Sequence, residues 1–513
     1  MVLLAHLRVL GHAGGLERDE CNSAAFATLP SLAALVSRLR YDTVPLASTL
    51  MFRSWVAIGL GSDAGLRTLG LLVGLALVAA LAWNARLHRA PLPAASLLLL
   101  ALHPDAVRWS DAIRPVGLGM LAIVLAFGLM WRALWRPGAM SVALASAAAL
   151  LSVQTLYPNA LLLLGICAAG ALTARGAGLG RRALLPLAIG LIAALSLLAD
   201  LPALRAAREW TPLLWTGAGH MALWGALASP HTLDAWLWVG AAAAGLALAV
   251  ARGRGAARAG EKSAPPTGRD TARYAGLAVG LGAAALLLAL AAGHVDAEPW
   301  YYLPLMALAC AGLDVLFAPL LGAGPRRTIL ALALVAFSIG RLIASLPILD
   351  ERRTNVDLVA ARLAAEASAR DLVIVNPWYL GVSFHRYAPA GLRWTTIPPL
   401  ADNSVHRFDL LRRQMESTGV MDTLLARVTG TLESGARVWV VGSLPRPGTG
   451  TPTPPPAATG PPWQIEAWCT GWALQVSALI AAHAQHGRTI PVPAPGVVSP
   501  AEEAGLHVAE GWR

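Results

Sequence analysis

Residues 16–28 read LERDECNSAAFAT, and they place two adjacent acids, Asp19 and Glu20, just after an apolar lead, MVLLAHLRVL (Met1–Leu10). The side of a membrane that this stretch faces decides how the rest of the chain is threaded. The composition requires a membrane. Of 513 residues, 56% are hydrophobic and 13% charged, with a mean hydropathy of +0.57. Soluble domains carry about 25% charged residues. Long apolar runs then point to a polytopic helical protein rather than one large core.

A bilayer core takes about 20 apolar residues per helix. On that measure the sequence predicts spans near 66–83, 92–104, 115–131, 139–156, 158–174, 183–200, 235–251, 275–292, 303–321 and 328–347. Alternate loops hold the basic residues: Arg86 and Arg89; Arg132 and Arg136; Arg175, Arg181 and Arg182; the run GRGAARAGEKSAPPTGRD (253–270); Arg326 and Arg327. The positive-inside rule puts these loops in the cytoplasm. The net charge of +11 is then explained by topology, with no nucleic-acid partner. Opposite loops carry the acids Asp105 and Asp111, Asp200 and Glu209, Asp296 and Glu298.

The same parity sends Asp19, Glu20 and everything after Pro347 outside. The lead must then be the end of a first helix running outward, although it is too short to span on its own. It lacks the basic start and the small-residue site of a cleavable signal peptide. Counting this helix gives about 10–11 crossings. Within the first outer loop, about 15–65, LPSLAALVSRLRYD and VPLASTLMFRSWVAIGL suit helices lying in the interface.

From Leu349 the pattern changes. The strand-like runs in DLVIVNPWYLGVSFHRY and ARVWVVGSLP are set among helix-like segments, NVDLVAARLAAEASA and RFDLLRRQMESTGVMDTLLARV. This is an α/β domain with a parallel sheet, spanning 349–513 beside a membrane core of 1–348. No G-x-G-x-x-G follows its first strand. PRPGTGTPTPPPAATGPP (445–462) is a linker, and EAWCTGWALQVSALIAAHAQ predicts a helix packed on the same domain. Cys21, Cys167, Cys310 and Cys469 are scattered and give neither a disulfide framework nor a zinc site. The near-absence of lysine (Lys262 alone) with abundant Ala and Leu is the pattern of GC-rich bacterial coding.

An outward first helix ending in ERDE, an amphipathic outer loop with Asp42 and VPL before FRSW, and a second outer loop reading WSDAIRP together resemble the GT-C glycosyltransferases. The nearest branch is the protein O-mannosyltransferase-like group (glycosyltransferase family 39), with the lipid A aminoarabinose transferases as relatives. The resemblance covers roughly Met1 to Pro347. It implies a sugar taken from a polyprenyl-phosphate donor at the outer face of a bacterial plasma membrane. It also implies catalytic roles for Asp19, as base, and Glu20. Asp111 and Arg114 match the second-loop acid and arginine, and EPWYYLPL resembles the late loop near the donor phosphate, which brings in His294, Tyr301 and Tyr302.

The chemistry fits those residue types. A base must take the acceptor proton, cationic groups must hold the leaving phosphate, and water must be kept from the anomeric carbon. Guanidinium suits phosphate geometry, so Arg114 is either a phosphate ligand or a snorkelling flank. Asp111 either joins the site or pairs with Arg108 or Arg114. Oxygen ligands could gather a divalent cation, Mg or Mn, with Asp19, Asp111 and Glu298 as candidates; otherwise Asp296 and Glu298 are a solvated loop. Trp300, Tyr301 and Tyr302 are also an aromatic belt. Asp314 falls within a span, where acids are often functional, or else pairs with Arg341. HRYAP and His406 lack a Ser or Cys partner and read as structural. Two other classes stay in view. A lipid-linked sugar transporter requires an inverted repeat, and none is visible. A non-catalytic envelope assembly protein would use the C-terminal domain to bind a partner.

Overall fold

The computed structural model describes residues 1–214, 219–229, 232–253, 266–293, 298–321, 325–447 and 463–513. Contacts divide the chain into two compact units. A helical unit holds Met1–Leu10, Val44–Pro202 and Thr216–Leu349, and a sheet unit holds Gly11–Thr43, Ala203–Trp215 and Asp350–Arg513. This differs from a linear division at 348, because two earlier segments fold with the C-terminal part.

Among the described residues nine helices are long and apolar enough to cross a membrane. The protein is a polytopic helical membrane protein with a C-terminal α/β domain. One of the nine, Ile465–His483, belongs to the sheet unit, where Trp468, Trp472 and Val476 are buried in that unit's core. Val2–His12 and Ala139–Thr155 are apolar but shorter.

The span expected at 92–104 is replaced by a broken helix. A π-turn at Ser96–Leu100 stops before Pro104, and a new helix, Pro104–Ser110, starts there. Proline has no N–H to continue a helix but suits a first turn, and His103 caps the new helix by accepting from Ala106 N through Nδ1. Asp314 caps the turn before it. Its carboxylate accepts from Ala95 N (2.7 Å), Ser96 N (3.3 Å) and Ser96 Oγ (2.5 Å). Asp314 therefore does not pair with Arg341, whose partner is Asp234.

Packing inside the helical unit follows the rules of an apolar solvent. Lipid gives helices no hydrophobic reason to associate, so small residues and side-chain amides hold them together. Asn84 Nδ2 donates to Val124 O (3.0 Å) and Asn159 Nδ2 to Gly119 O (2.9 Å). Tyr274 packs on Phe127, His88 and Trp131, and its hydroxyl donates to Phe127 O. Helices Asn159–Gly176 and Gly268–Gly293 approach backbone to backbone at Gly165, where a Cβ would run into Gly282 N and Cα.

The sheet unit is a three-layer α/β/α arrangement. Its strands are β1 (Leu372–Asn376), β2 (Arg393–Thr396), β3 (Val438–Gly442), β4 (Ala484–Thr489) and β5 (Leu506–Trp512), in the order β2-β1-β3-β5-β4. β1 runs parallel to β2 and β3, while β5 is antiparallel to both β3 and β4. The sheet is thus mixed rather than wholly parallel. Successive side chains of a strand face opposite ways. Leu372 and Ile374 pack with Leu424, Val428 and Val476 on one face, and Val373 and Val375 with Val359, Leu363 and Phe384 on the other. Asp371 ties β1 to β3 by accepting from Arg437 N (3.0 Å), Arg437 Nε (3.1 Å) and Trp439 Nε1 (3.1 Å).

Gly165→Val should destabilise the helical unit by about 1–3 kcal/mol, the usual cost of overpacking. Thermal unfolding of the detergent-solubilised protein beside wild type reads this directly.

Candidate functional site

The predicted site residues divide between the two units. Asp19 and Glu20 lie in the first turn of helix Arg18–Ala27 in the sheet unit, whereas Asp111, Arg114, Tyr301 and Tyr302 lie in the helical unit. His294 and Asp296 fall outside the described residues.

Local sequence explains the acidic turn. Glu17 is the N-cap: its carboxylate accepts from Asp19 N (3.0 Å) and Glu20 N (3.1 Å), while Glu20 Oε2 accepts from Glu17 N (3.2 Å). This is a reciprocal capping box. Glu20, expected to be catalytic, is fully buried and serves as one arm of that cap. Asp19 points elsewhere. His406 Nε2–H donates to Asp19 Oδ1 at 3.0 Å, and the other ring nitrogen, Nδ1, is buried without a hydrogen-bond partner. His406, which the sequence reads as structural, has as its partner a carboxylate 387 positions away, a distance no local spacing reveals.

His406 is held from both sides. Its backbone N–H donates to Asn22 Oδ1 (2.9 Å), and Asn22 Nδ2 donates to Asp42 Oδ2 (2.6 Å). The next residue, Arg407, makes a fork to Asp409 (Nε–Oδ1 and Nη2–Oδ2, both 2.8 Å) and a third bond to Asp402 (2.7 Å). Planar bidentate pairing of this kind fixes geometry as well as charge. These bonds, those to Asp409 foremost, raise the Arg407 pKa further. Desolvation works to raise the Asp402 pKa, but hydrogen bonds from Ser404 and Arg407 outweigh it and leave the carboxyl below its ordinary value.

Around Arg18 the negative charges outnumber the positive. Arg18 lies 4.3 Å from the centre of the Tyr379 ring and 3.4 Å, through Nε, from Glu502 Oε1. Desolvation, then Asp19 and Glu502, push the Glu17 carboxyl well above its usual value. Burial lifts Glu502 to about 7 against the opposing pull of Arg18.

In the helical unit Asp111 is buried at the end of the Pro104–Ser110 helix. His6 Nδ1–H donates to both its oxygens (2.8 and 2.9 Å), and Ser110 Oγ adds a third bond (3.1 Å). Its histidine partner was not foreseen. Gly74 makes room for the pair, since a Cβ there would collide with Asp111 and the His6 ring. Arg114 is half-buried at the N-cap of helix Pro115–Trp135. Tyr302 is buried in the helical core and Tyr301 is half-buried. Trp300 packs on Trp109 with ring centres 4.6 Å apart. Glu298 is exposed. Among the described residues no three His, Cys, Asp or Glu side chains gather as metal ligands. Of the three candidates for a divalent cation, Asp19 belongs to the sheet unit, and Asp111 and Glu298 to the helical unit.

No protein-family model matches the chain, and no curated protein matches it by sequence. Among solved structures it is similar to ArnT from Cupriavidus metallidurans bound to undecaprenyl phosphate, at TM-score 0.51 and 13% identity, covering 86% of this chain and 91% of that one. It is also similar to the Archaeoglobus fulgidus oligosaccharyltransferase in complex with Zn and sulfate, at TM-score 0.50 and 12% identity, covering 86% of this chain and 67% of that one. At such identities the likeness establishes the fold.

The raised Glu502 pKa has a stability consequence. A carboxyl whose folded pKa lies above its unfolded value stabilises the fold while protonated, and that contribution fades as pH rises through the folded pKa. Between about pH 4.5 and 7 wild type should lose melting temperature relative to Glu502→Gln, which mimics the protonated acid. Parallel pH-melting curves of the two proteins test this.

Proposed function

We propose, from the GT-C fold that the chain shares with these two structures, that the protein is a membrane glycosyltransferase. It moves a sugar from a polyprenyl-phosphate donor to an acceptor hydroxyl. ArnT, crystallised with undecaprenyl phosphate, supports a lipid-phosphate donor of this kind. The alternation of basic and acidic loops supports a multi-pass protein of the bacterial plasma membrane, with the Asp19 site and the α/β domain on the outer side.

The Asp19–His406 hydrogen bond carries the reading. The acceptor oxygen attacks the anomeric carbon, the carbon–oxygen bond to phosphate breaks, and polyprenyl phosphate leaves with the electron pair. Asp19 takes the acceptor's proton. One displacement inverts the anomeric centre. His406 orients the Asp19 carboxylate by donating through Nε2, much as the third group of a catalytic triad orients the base. Glu20 supports the helix that carries Asp19 and takes no proton.

Membranes containing wild type should release polyprenyl phosphate from a labelled polyprenyl-phosphate sugar and transfer label to an envelope acceptor fraction. Asp19→Asn should lose about 10²–10⁴ in turnover, the usual contribution of a general base. Equal turnover in wild type and Asp19→Asn would remove Asp19 from the chemistry. His406→Gln should act as the loss of a positioning group. It should lower kcat by about tenfold, leave donor KM unchanged, and move the acidic limb of the pH–rate profile.

A further inference from the structure

Within the sheet unit lies a cavity of about 150 Å³ lined by Arg40, Tyr41, Glu209, Trp210, Arg407 and Asp409, with Arg413 at its margin. The three chain segments that form it all belong to this one unit. It offers room for roughly ten waters, since about 10–15 Å³ of such space holds one. It is smaller than the sites that hold drug-sized ligands and suits one ring-sized molecule.

The lining chemistry is specific. The guanidinium of Arg407 is neutralised by Asp402 and Asp409, and that of Arg413 by Glu209 at 3.1 Å. Cationic donors and anionic acceptors therefore stand side by side, and no uncompensated cluster of positive charge is left to attract a phosphate or sulfate. Arg407, Tyr41 and Trp210 are held in place. Arg407 stacks 4.1 Å over the Tyr41 ring, Arg40 Nη2 donates to the Tyr41 hydroxyl (2.7 Å), and Trp210 Nε1 donates to Arg40 O (2.9 Å). Trp210 in turn stacks on Phe408. Arg407 covers the Tyr41 ring face and Trp210 is almost wholly buried, so the wall is chiefly polar, and its mixed donors and acceptors suit a neutral ligand that carries a circle of hydroxyls. A purely apolar ligand would leave these polar groups unpaired at considerable cost.

We propose that this cavity is a saccharide-binding subsite and that, on the transferase reading above, it takes an uncharged sugar ring of the acceptor, which is then a glycan. The cavity plays no part in the chemical step. It holds the acceptor through a ring other than the one that reacts.

The test uses the full chain in lipid nanodiscs. Saturation-transfer NMR and calorimetry would be run with neutral methyl glycosides and short neutral oligosaccharides, with sulfate and inorganic phosphate as anion probes. At least one neutral saccharide should bind with a dissociation constant near or below about 1 mM. Arg40→Ala, Glu209→Gln and Arg413→Ala alter exposed side chains, so the fold should persist. Each should weaken binding about tenfold, as expected for one hydrogen bond to a charged group. Asp19→Asn should bind saccharide as wild type does. The proposal is overturned if no neutral saccharide binds, if the three variants bind like wild type, or if sulfate or phosphate binds in place of sugar. Saccharide binding by a protein that transfers no sugar would sink the transferase reading and leave the subsite standing. Transfer by a protein whose cavity binds no saccharide would do the reverse.

Discussion

Arg407 between Asp402 and Asp409 is the interaction on which the proposed chemistry depends. Three charge-assisted bonds of 2.7–2.8 Å hold one guanidinium, and its face lies on Tyr41. The clamp fixes the loop in which His406 stands, and His406 meets Asp19. It also builds one wall of the polar cavity. An exposed ion pair contributes little, because solvent screens it and two long side chains must be ordered. This one is partly withdrawn from solvent, bidentate and stacked, so it sets geometry where a lone pair would not.

The helical unit answers to a different constraint. In hydrocarbon every backbone polar group must find its partner inside the protein, and a break in a helix exposes several at once. The broken segment 94–110 shows the remedy. Asp314 takes up two amides at the start of the first turn and His103 one at the start of the next helix. An acid inside a span is commonly a functional residue; here Asp314 accepts two backbone amides and the Ser96 hydroxyl, which caps the turn. Asp234 and Arg341 are likewise buried together.

The legible parts of the sequence were those with a strong local period or composition. The long apolar helices, the buried strands LVIVN and VWVVG, and the helix around Trp468 and Trp472 could all be read directly. Strands β2, β4 and β5 were not. RWTT has four residues, and AQHGRT is a polar edge strand exposed at nearly every position, so neither shows the alternation that marks a half-buried strand. The broken helix was missed because hydropathy weighs residues without regard to Pro104. Glu20 reads as a second acid of the pair, because a capping box and an acidic pair have the same letters; its place in the box shows only in the hydrogen bonds it shares with Glu17.

What the sequence alone determined was the solvent each segment requires and hence the class of protein: apolar runs of membrane length, arginines in alternate loops, and an acidic turn after the first apolar lead. Those are local properties, fixed by composition and period. Tertiary structure decided which side chains work together. Asp19 meets His406, Asp111 meets His6, and Arg40 and Tyr41 share a cavity with Glu209 and Arg407. These partners lie tens to hundreds of residues apart, and a hydrogen bond depends on distances of about 3 Å, which only the folded chain sets.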